Sequence, residues 1–218
     1  MNTPWSKNRE GTLDQWIETQ VPLDYGTLGI TSGDRVLDIG AHIGHFTQYA
    51  LDHGAAHVMA VEPEVSNWAL LKSRFFDEPR VTPLRGAIIG EGPDLWVKLN
   101  VKQGSNTGAH SVVITGHGRV AVEVPAYTLS HALELATPSV IKIDIEGGEH
   151  AFDYTSLPLS VRAIAIEVML YRKEWYPTGL ARICGELAVH GFIAVSDPYA
   201  RISIIRGKPW VTIGVWRR

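Results

Sequence analysis

The sequence has little of several features that define common classes of protein. Cysteine occurs once in 218 residues, as Cys184, which excludes an internal disulfide and a cysteine-based zinc cluster. No apolar run approaches the roughly 18 residues of a membrane-spanning helix, and the N-terminal residues lack the apolar segment of a signal peptide. These absences predict a soluble protein of the reducing cytoplasm with no membrane partner.

An excess of positive charge is also missing. Lys and Arg total 20 against 23 Asp and Glu, so the formal net charge is −3. This balance creates no overall positive field that would attract nucleic acid or an anionic membrane, and it argues against a nucleic-acid partner. Hydrophobic residues make up 45% and charged residues 20% of the chain. These values are typical of one compact globular domain with a substantial core.

The sequence does contain a regular alternation of apolar runs, glycine turns and helical stretches. Residues 35–44 read Arg-Val-Leu-Asp-Ile-Gly-Ala-His-Ile-Gly, in which a buried strand runs into a glycine turn and then a helix over 44–53. Further strands are predicted at 58–61, 81–89, 140–146, 162–168, 192–195 and 211–215, and helices at 65–76, 130–135 and 180–190. The alternation predicts an α/β sandwich with a mostly parallel seven-stranded sheet and helices on both faces.

Two segments depart from this alternation. Residues 95–99 and 120–124 alternate as strands of a hairpin insertion, with a glycine-rich loop over 103–111 between them. Leu13, Trp16, Ile17 and Val21 fall at helical spacing, which predicts an N-terminal helical segment within residues 1–32. That segment either covers a substrate pocket as a lid or packs on the flank of the sheet. Residues 33–218 form the main domain.

The first glycine turn has the spacing Asp38-x-Gly40-x-x-x-Gly44, which differs from the G-x-G-x-x-G of dinucleotide-binding folds. It is the loop that S-adenosylmethionine enzymes place under the amino-acid end of their cofactor. Glu62 ends the next apolar run 22 residues after Gly40, where an acidic residue can bind both ribose hydroxyls. The alternative is an ordinary α/β turn with an incidental acid.

A second informative stretch reads Lys142-Ile-Asp-Ile-Glu-Gly-Gly-Glu149. Strand alternation predicts Lys142, Asp144 and Glu146 on one face, at the carboxyl edge of the sheet where α/β folds bind ligands. Three buried ionisable groups are unfavourable unless they are paired or bind something. The alternative is a Lys142–Asp144 ion pair, with carboxylates that cap the following helix through Glu149.

These segments together resemble the FkbM-like family of class I S-adenosylmethionine-dependent methyltransferases over residues 33–195. The resemblance is carried by Asp38–Gly44, Val61-Glu-Pro63 with Asn67, Gly86–Gly90, Val124–Leu129 and Lys142–Glu149. It implies a Rossmann-like class I methyltransferase domain over 33–218 and S-adenosylmethionine as the cofactor. His42 stands where the family often has asparagine, and Ser130 where aspartate is usual.

The resemblance also implies roles for individual residues. Gly40, His42 and Gly44 would contact the methionine moiety, Glu62 the ribose and Ala87 the adenine, while Asp144 and Glu146 would face the transferred methyl group. The full predicted cofactor site comprises Asp38, Gly40, Ala41, His42, Gly44, Glu62, Pro63, Gly86, Ala87 and Asp144.

Transfer of a methyl group to oxygen requires an aligned acceptor whose proton is removed. The predicted catalytic residues are Glu146, Asp144, Lys142 and His110, the last on the loop that could fold over the site. Asp144, Glu146 and Glu167 could supply oxygen ligands to Mg²⁺, and the alternative is that no metal is bound. No two histidines form an H-x-H or H-E-x-x-H pair, so a zinc site is not expected. Tyr171, Trp175 and Tyr176 either line the acceptor pocket or are ordinary packing.

The function predicted from the sequence is S-adenosylmethionine-dependent O-methylation of a hydroxyl on a small molecule, sugar, glycan or other natural product. The alternatives are a methyltransferase acting on a peptide or nucleic acid, and a non-catalytic nucleotide-binding module. The sequence does not identify the acceptor or the oligomeric state. A homodimer is among the states that it allows.

Overall fold

The structure, a computed structural model, describes residues 20–92, 95–104, 107–116, 118–205 and 207–218. Leu13, Trp16 and Ile17 of the predicted N-terminal helix lie outside these ranges. Residues 20–25 are helical and lead into a 3₁₀ turn at Gly26–Leu28. Val21, Tyr25 and Leu28 are buried against the same face of the sheet as Phe46, so this part of the N-terminal segment belongs to the core.

The regular elements follow the predicted alternation of strands and helices. The helices are α1 (His45–Asp52), α2 (Val65–Arg74), α3 (Leu129–Ala136) and α4 (Leu180–Val189). The strands are β1 (Arg35–Ile39), β2 (His57–Glu62), β3 (Val81–Arg85), β4 (Ala87–Ile89), β5 (Trp96–Lys102), β6 (Arg119–Thr128), β7 (Val140–Ile143), β8 (Ala163–Met169), β9 (Ile193–Ser196), β10 (Ser203–Ile205) and β11 (Lys208–Arg217).

The main sheet has the strand order β10-β11-β8-β7-β1-β2-β3, and β9 pairs beside β10 on the same edge of β11. Strands β3, β2, β1, β7 and β8 run parallel, while β11 is antiparallel to β8. The predicted mostly parallel α/β fold is therefore confirmed. The sheet has eight strands instead of seven, because the short strand β10 was not predicted.

Both faces of the central strands are buried, which explains their continuous apolar runs. Alternate residues of β1, β7 and β8 pack against two different layers. One layer contains α3 and α4, and it covers Leu37, Ile39, Ile141, Ile143, Ile164 and Ile166. The other contains α1 and Leu71 of α2, and it covers Val36, Val140, Ala163 and Ala165. In the described part of the chain, no helix is long and apolar enough to span a bilayer.

The predicted hairpin insertion is present as a second, three-stranded sheet of order β4-β6-β5. Strands β5 and β6 are antiparallel, and β4 joins β6 in parallel. The single strand predicted over 81–89 was wrong, because the chain divides at Gly86 between β3 of the main sheet and β4 of the second sheet. The amide of Gly86 donates to the carbonyl of Glu62 (3.2 Å), which keeps this division beside the end of β2.

Strand β7 is shorter than predicted, since it ends at Ile143 instead of continuing to residue 146. Glu146 has a left-handed backbone with φ +55°, and Gly147 follows at φ +104°. Strand alternation therefore does not place Glu146 on the face shared by Lys142 and Asp144, and that prediction was wrong. The helix predicted after the two glycines is only a 3₁₀ turn at Gly148–Ala151.

The order of the strands places the candidate site. The chain runs outward from β1 to β2 and β3, then returns to the other side of β1 with β7 and β8. Ligands of open α/β sheets bind in the crevice at the carboxyl ends of the strands where this reversal occurs. Gly40 follows β1 and Asp144 follows β7, so both lie at that point.

Candidate active site

The loop after β1 is held between the two neighbouring strands. The amides of Gly40 and Ala41 both donate to the carbonyl of Val61 in β2 (3.0 Å each). On the other side, Lys142 Nζ donates to the carbonyl of Gly40 (2.7 Å). The loop therefore has a fixed position at the edge of the sheet.

Glycine is required at both ends of this loop because protein atoms fill the space where a side chain would lie. Gly40 has φ +80°, and a Cβ there would overlap the carbonyl oxygen of Asp144. Gly44 has φ +90°, and its Cβ would come within 2.8 Å of both Phe75 and Leu71. Positive φ and close packing thus explain the two glycines whatever ligand the loop binds.

A buried charge network lies beneath the loop. Asp38 is fully buried, and its Oδ2 accepts a hydrogen bond from the Thr47 hydroxyl in α1 (2.7 Å). Its Oδ1 lies 3.3 Å from Lys142 Nζ, which is also 3.5 Å from Asp144 Oδ2. Burial opposes the charged form of Lys142, but the two carboxylates outweigh it and raise the Lys142 pKa. The lysine therefore stays positive and connects β1, its loop and the end of β7.

Glu62 ends β2 with a buried carboxylate at the mouth of the site. One oxygen accepts from the amide of His42 (2.9 Å) and the other from the amide of Glu64 (3.0 Å). Burial raises the pKa of Glu62 to about 7, and these hydrogen bonds oppose the rise. The Asn67 side chain is a third donor to this carboxylate, which has about four acceptor positions, so one position remains for a ligand. Pro63 follows directly, before α2.

His42 has a left-handed backbone with φ +54°. Its Nε2 lies 2.9 Å from the hydroxyl of Thr107, and the Thr107 carbonyl accepts from Asn67 Nδ2 of α2 (2.9 Å). Burial lowers the pKa of His42 to about 4, with Lys142 and His110 adding to the effect. The ring is therefore neutral near pH 7, and it links the loop after β1 to the insertion.

Carboxylates gather where β7 and β8 end. Burial raises the pKa of Glu146 to about 8, and the neighbouring Asp144 and Glu149 raise it further, against Arg119. Burial also raises the pKa of Glu167 well above its usual value, with Asp144 and Glu146 adding to the effect. Ala165 of β8 pairs with Lys142 of β7, so two residues further along Glu167 lies next to Asp144 on one face of the sheet.

Glu149 lies in the same region, but it is completely buried and joins two strand ends through its backbone donors. Its Oε2 accepts from the amide of Gly147 and its Oε1 from the amide of Met169 in β8 (2.8 Å each). Burial raises its pKa to about 7, and these hydrogen bonds oppose the rise. Glu149 therefore joins the turn after β7 to the end of β8.

These features agree with a match to a known sequence family. The methyltransferase FkbM domain matches residues 38–152, from the buried Asp38 to the 3₁₀ turn after β7. This chain belongs to the FkbM methyltransferase family. The matched segment includes the loop after β1, Glu62, the second sheet and the turn that carries Glu146. No curated protein sequence gives a significant match to the chain.

Solved structures show a similar fold at low sequence identity. A methyltransferase FkbM from Methylobacillus flagellatus KT is 16% identical with a TM-score of 0.54, and the match covers 88% of this chain and 45% of that one. An S-adenosylmethionine-dependent methyltransferase from Mesorhizobium loti is 13% identical with a TM-score of 0.49, covering 94% and 100%. The first of these supports the fold of the FkbM domain. This chain spans less than half the length of that relative.

Several predicted site residues meet at the carboxyl edge of the sheet. The loop after β1 brings together Asp38, Gly40, Ala41, His42 and Gly44, with Glu62 and Pro63 beside it and Asp144 across from it. Gly86 and Ala87 lie at the junction between β3 and β4, and Ala87 is buried. Their contacts with a cofactor stay a prediction.

His110 is held by the insertion. Its Nδ1 accepts from the amide of Lys102 in β5 (3.0 Å), and burial lowers its pKa. The Nδ1 atom of His110 is therefore occupied by a backbone hydrogen bond. Ser130 does not cap α3, because Thr128 accepts the amide of His131 (3.2 Å) while Ser130 contacts Glu91 instead.

The structure gives no support to a magnesium site. Among the described ranges, no group of three or more histidine, cysteine, aspartate or glutamate residues is arranged to hold a metal ion. Asp144 and Glu146 both raise the pKa of Glu167, so the three carboxyl groups influence one another. They do not form such a group.

Ser111 and Trp210, which the sequence did not single out, also shape this region. Ser111 donates to the carbonyl of Glu146 (2.7 Å), although 35 positions separate the two residues. Tyr171 stacks on Trp210 at a ring distance of 4.9 Å and meets the edge of Trp175 at 5.1 Å. No local pattern could have identified the Ser111 contact, because it forms only when the insertion folds back over β7.

Proposed function

We propose that this chain is an S-adenosylmethionine-dependent methyltransferase that methylates a hydroxyl oxygen of a small molecule, sugar, glycan or other natural product. The observation that carries the proposal is the position of Glu146. This carboxyl group has a pKa of about 8, and it follows β7 at the edge of the sheet where Gly40 follows β1 and Glu62 ends β2. A general base works best when its pKa is close to the working pH.

The residues of the crevice fit the proposed cofactor. The Glu62 carboxylate keeps an acceptor position for a ribose hydroxyl beside its three protein donors. Oδ1 of Asp38 is fully buried and has no hydrogen-bond donor beyond the ion pair with Lys142. We assign binding to Asp38, Gly40, Ala41, His42, Gly44, Glu62, Pro63, Gly86, Ala87 and Asp144. When bound, S-adenosylmethionine supplies an electrophilic methyl group.

The chain's own residues would divide the remaining work. Glu146 removes the proton from the acceptor hydroxyl as the oxygen attacks, while Asp144 orients that hydroxyl. Lys142 holds the Gly40 carbonyl and Asp144 at a fixed separation, so that the cofactor loop and the acceptor side keep their alignment. The burial of Glu146 limits access of water and keeps its pKa near the working pH.

The charges at the site favour a neutral acceptor over an anionic one. Asp144, Glu146 and Glu167 lie together, and the neighbouring cation Lys142 is already paired with Asp38 and Asp144. A phosphodiester acceptor would meet these carboxylates, which disfavours the nucleic-acid alternative. A purely nucleotide-binding module would have no use for a base with a raised pKa.

We also propose that the N-terminal segment covers the acceptor side of the main domain, 33–218. Burial raises the pKa of Tyr25, and Asp144 and Glu167 raise it further, which supports a position of the segment near these carboxylates. Arg201 donates to the Leu23 carbonyl (3.1 Å) and pairs with Asp24 (3.3 Å). These contacts tie residues 20–25 to the segment between β9 and β10, as expected of a cover over the site.

The experiment that tests the function has two stages. Calorimetric titration with S-adenosylmethionine and S-adenosylhomocysteine measures cofactor binding, and a screen of hydroxylated sugars and natural products with labelled methyl groups then measures transfer. Binding followed by label on an acceptor oxygen is the expected result. Absence of binding to both ligands would contradict the proposal, and label on nitrogen or on a nucleic acid would reassign the acceptor.

A further inference from the structure

Ser111 is a buried residue of the loop between β5 and β6, and its backbone is fixed to β5. The amide of Asn100 donates to the Ser111 carbonyl (2.8 Å), and the Ser111 amide donates back (3.3 Å). Asn100 Nδ2 adds a further hydrogen bond to the same carbonyl (3.2 Å). The residue is only 1% exposed. Ser111 is therefore a rigid part of the insertion.

The side chain of Ser111 uses its full hydrogen-bonding capacity. It accepts from the amides of Val113 (3.1 Å) and Ile114 (2.9 Å), and it donates to the carbonyl of Glu146 (2.7 Å). A hydroxyl has one donor and two acceptor positions, so none remains for a ligand. The single donor is directed at the backbone of the proposed base.

Glu146 needs support from outside its own segment. Its left-handed backbone, at φ +55°, is strained for a non-glycine residue. Strand β7 ends three residues earlier, so no strand pairing of the sheet holds Glu146 in place. The hydrogen bond from Ser111 joins this turn to the rigid insertion instead.

We propose that Ser111 is a positioning residue that keeps Glu146 in its left-handed conformation, and with it the carboxylate beside Asp144. The insertion between β5 and β6 then has a definite task, which is to fix the geometry of the base. The link to catalysis rests on the proposed function, whereas the link between Ser111 and the backbone of Glu146 does not.

The first test measures the backbone of Glu146 by nuclear magnetic resonance in the full chain. The HN–Hα coupling and the Cα and Cβ shifts of Glu146 report its φ angle. We expect Ser111→Ala to move Glu146 out of the left-handed region and Ser111→Cys to have a smaller effect. Ser111→Thr keeps the hydroxyl and should preserve the native values. Native values in Ser111→Ala, or in Ser111→Cys if the alanine variant does not fold, would overturn the proposal.

Thr212→Val is the matched control. It removes another buried hydroxyl that donates to a backbone carbonyl, that of Pro198. A role limited to stability would make the two variants alike, with lower melting temperatures and unchanged Glu146 signals in both. A shift of the Glu146 signals in Ser111→Ala alone separates positioning from general stabilisation.

A second measurement connects the conformation to catalysis. With an acceptor from the screen, we expect Ser111→Ala to lower kcat by about 10- to 100-fold with KM nearly unchanged, as for a displaced catalytic group. The dissociation constant of S-adenosylhomocysteine should stay within about twofold of the wild-type value. A twofold change corresponds to less than about 0.5 kcal/mol of binding free energy. An inactive wild type would contradict the proposed function, and the resonance experiment would still decide the role of Ser111.

Discussion

Buried carboxylates have different tasks in this site because their hydrogen-bond partners differ. Both oxygens of Glu149 are taken by amides of the turn after β7 and of β8, so this residue holds the two strand ends together. Glu62 also accepts one backbone amide at each oxygen, but these come from the loop after β1 and the start of α2, with the Asn67 side chain as a further donor, and the residue is not completely buried. Glu146 has acidic neighbours, and its raised pKa suits proton transfer. Residue type alone would not separate these roles.

Glu62→Ala should weaken the binding of S-adenosylmethionine by about 1–3 kcal/mol, because ligand hydroxyls would lose a buried acceptor. Isothermal titration calorimetry measures the change. Glu134→Ala is the matched control, since Glu134 is exposed on α3 far from the crevice. Equal affinity in the wild type and Glu62→Ala would remove Glu62 from the ribose site.

Glu146→Gln should abolish turnover and leave cofactor binding intact, because glutamine keeps the shape but cannot accept the proton. The rate of the wild type should rise with pH through an apparent pKa near 8, since only the deprotonated carboxylate acts as a base. Methyl transfer measured across this pH range checks both expectations. Substantial turnover in Glu146→Gln would exclude Glu146 as the base.

At the scale of the elements, ion pairs join the strands at both ends of the sheet. Lys142 joins β7 to β1 and its loop at the carboxyl edge. At the opposite edge, Asp34 binds Arg162 before β8, the hydroxyl of Ser139 before β7 and the amide of Thr31. The alignment of the central strands therefore depends on buried or half-buried charges as well as on apolar packing.

Lys142→Met should destabilise the fold by about 3–5 kcal/mol, because the fully buried Asp38 would lose its counter-charge. Chemical denaturation measures the free energy of unfolding. The double variant Lys142→Met with Asp38→Asn should recover part of the loss, since it removes the unpaired charge. No recovery in the double variant would show that the loss comes from packing of the lysine chain instead.

Asp34→Asn should destabilise the fold by about 1–3 kcal/mol, because the amide replaces a carboxylate that accepts charged and neutral donors. Hydrogen bonds lower the pKa of Asp34 to about 2 against the effect of burial. The folded state therefore holds fewer protons than the unfolded state above this value. The contribution of Asp34 is complete above about pH 4 and is lost as the pH falls toward 2.

Denaturation of the wild type and Asp34→Asn at several acidic pH values tests this assignment. The difference in stability between them should shrink as the pH falls through that range. A difference independent of pH would mean that the charge of Asp34 does not contribute.

At the scale of the whole molecule, the protein combines a well-packed core with an edge of carboxylates that resist ionisation. Burial raises the pKa of Glu62 and Glu149 to about 7 and that of Glu146 to about 8. Between their ordinary values and these pKa values, the folded state binds more protons than the unfolded state. Stability therefore falls as the pH rises through this interval.

We expect the free energy of unfolding of the cofactor-free protein to decrease from about pH 7 to about pH 8.5, above the range in which the lowered pKa values of partly buried histidines such as His42 and His110 act in the opposite direction. Chemical denaturation across this range measures the decrease. The Glu146→Gln variant should show a smaller decrease, because one of the three groups no longer titrates. A stability that is constant or rises over the whole range would contradict the raised pKa values.

The sequence by itself determined the class of fold and most of the loop after β1. The apolar run of β1, the glycine turn, α1 and the acid that ends β2 are all set by neighbours within a few residues. The strand period and a positive φ both depend on residues that are close in the sequence. The sequence alone therefore carries this information. The hairpin of β5 and β6 followed from alternation for the same reason.

Only the tertiary structure decided where β7 ends, where the strand over 81–89 divides and which residues support Glu146. Each of these depends on groups far apart in the chain. The amide of Asp144 bonds to Ile39 across strands, Gly86 bonds to Glu62, and Ser111 reaches Glu146 across 35 positions. Such contacts form only when the elements pack, because burial and hydrogen bonding between distant segments can override local strand preference.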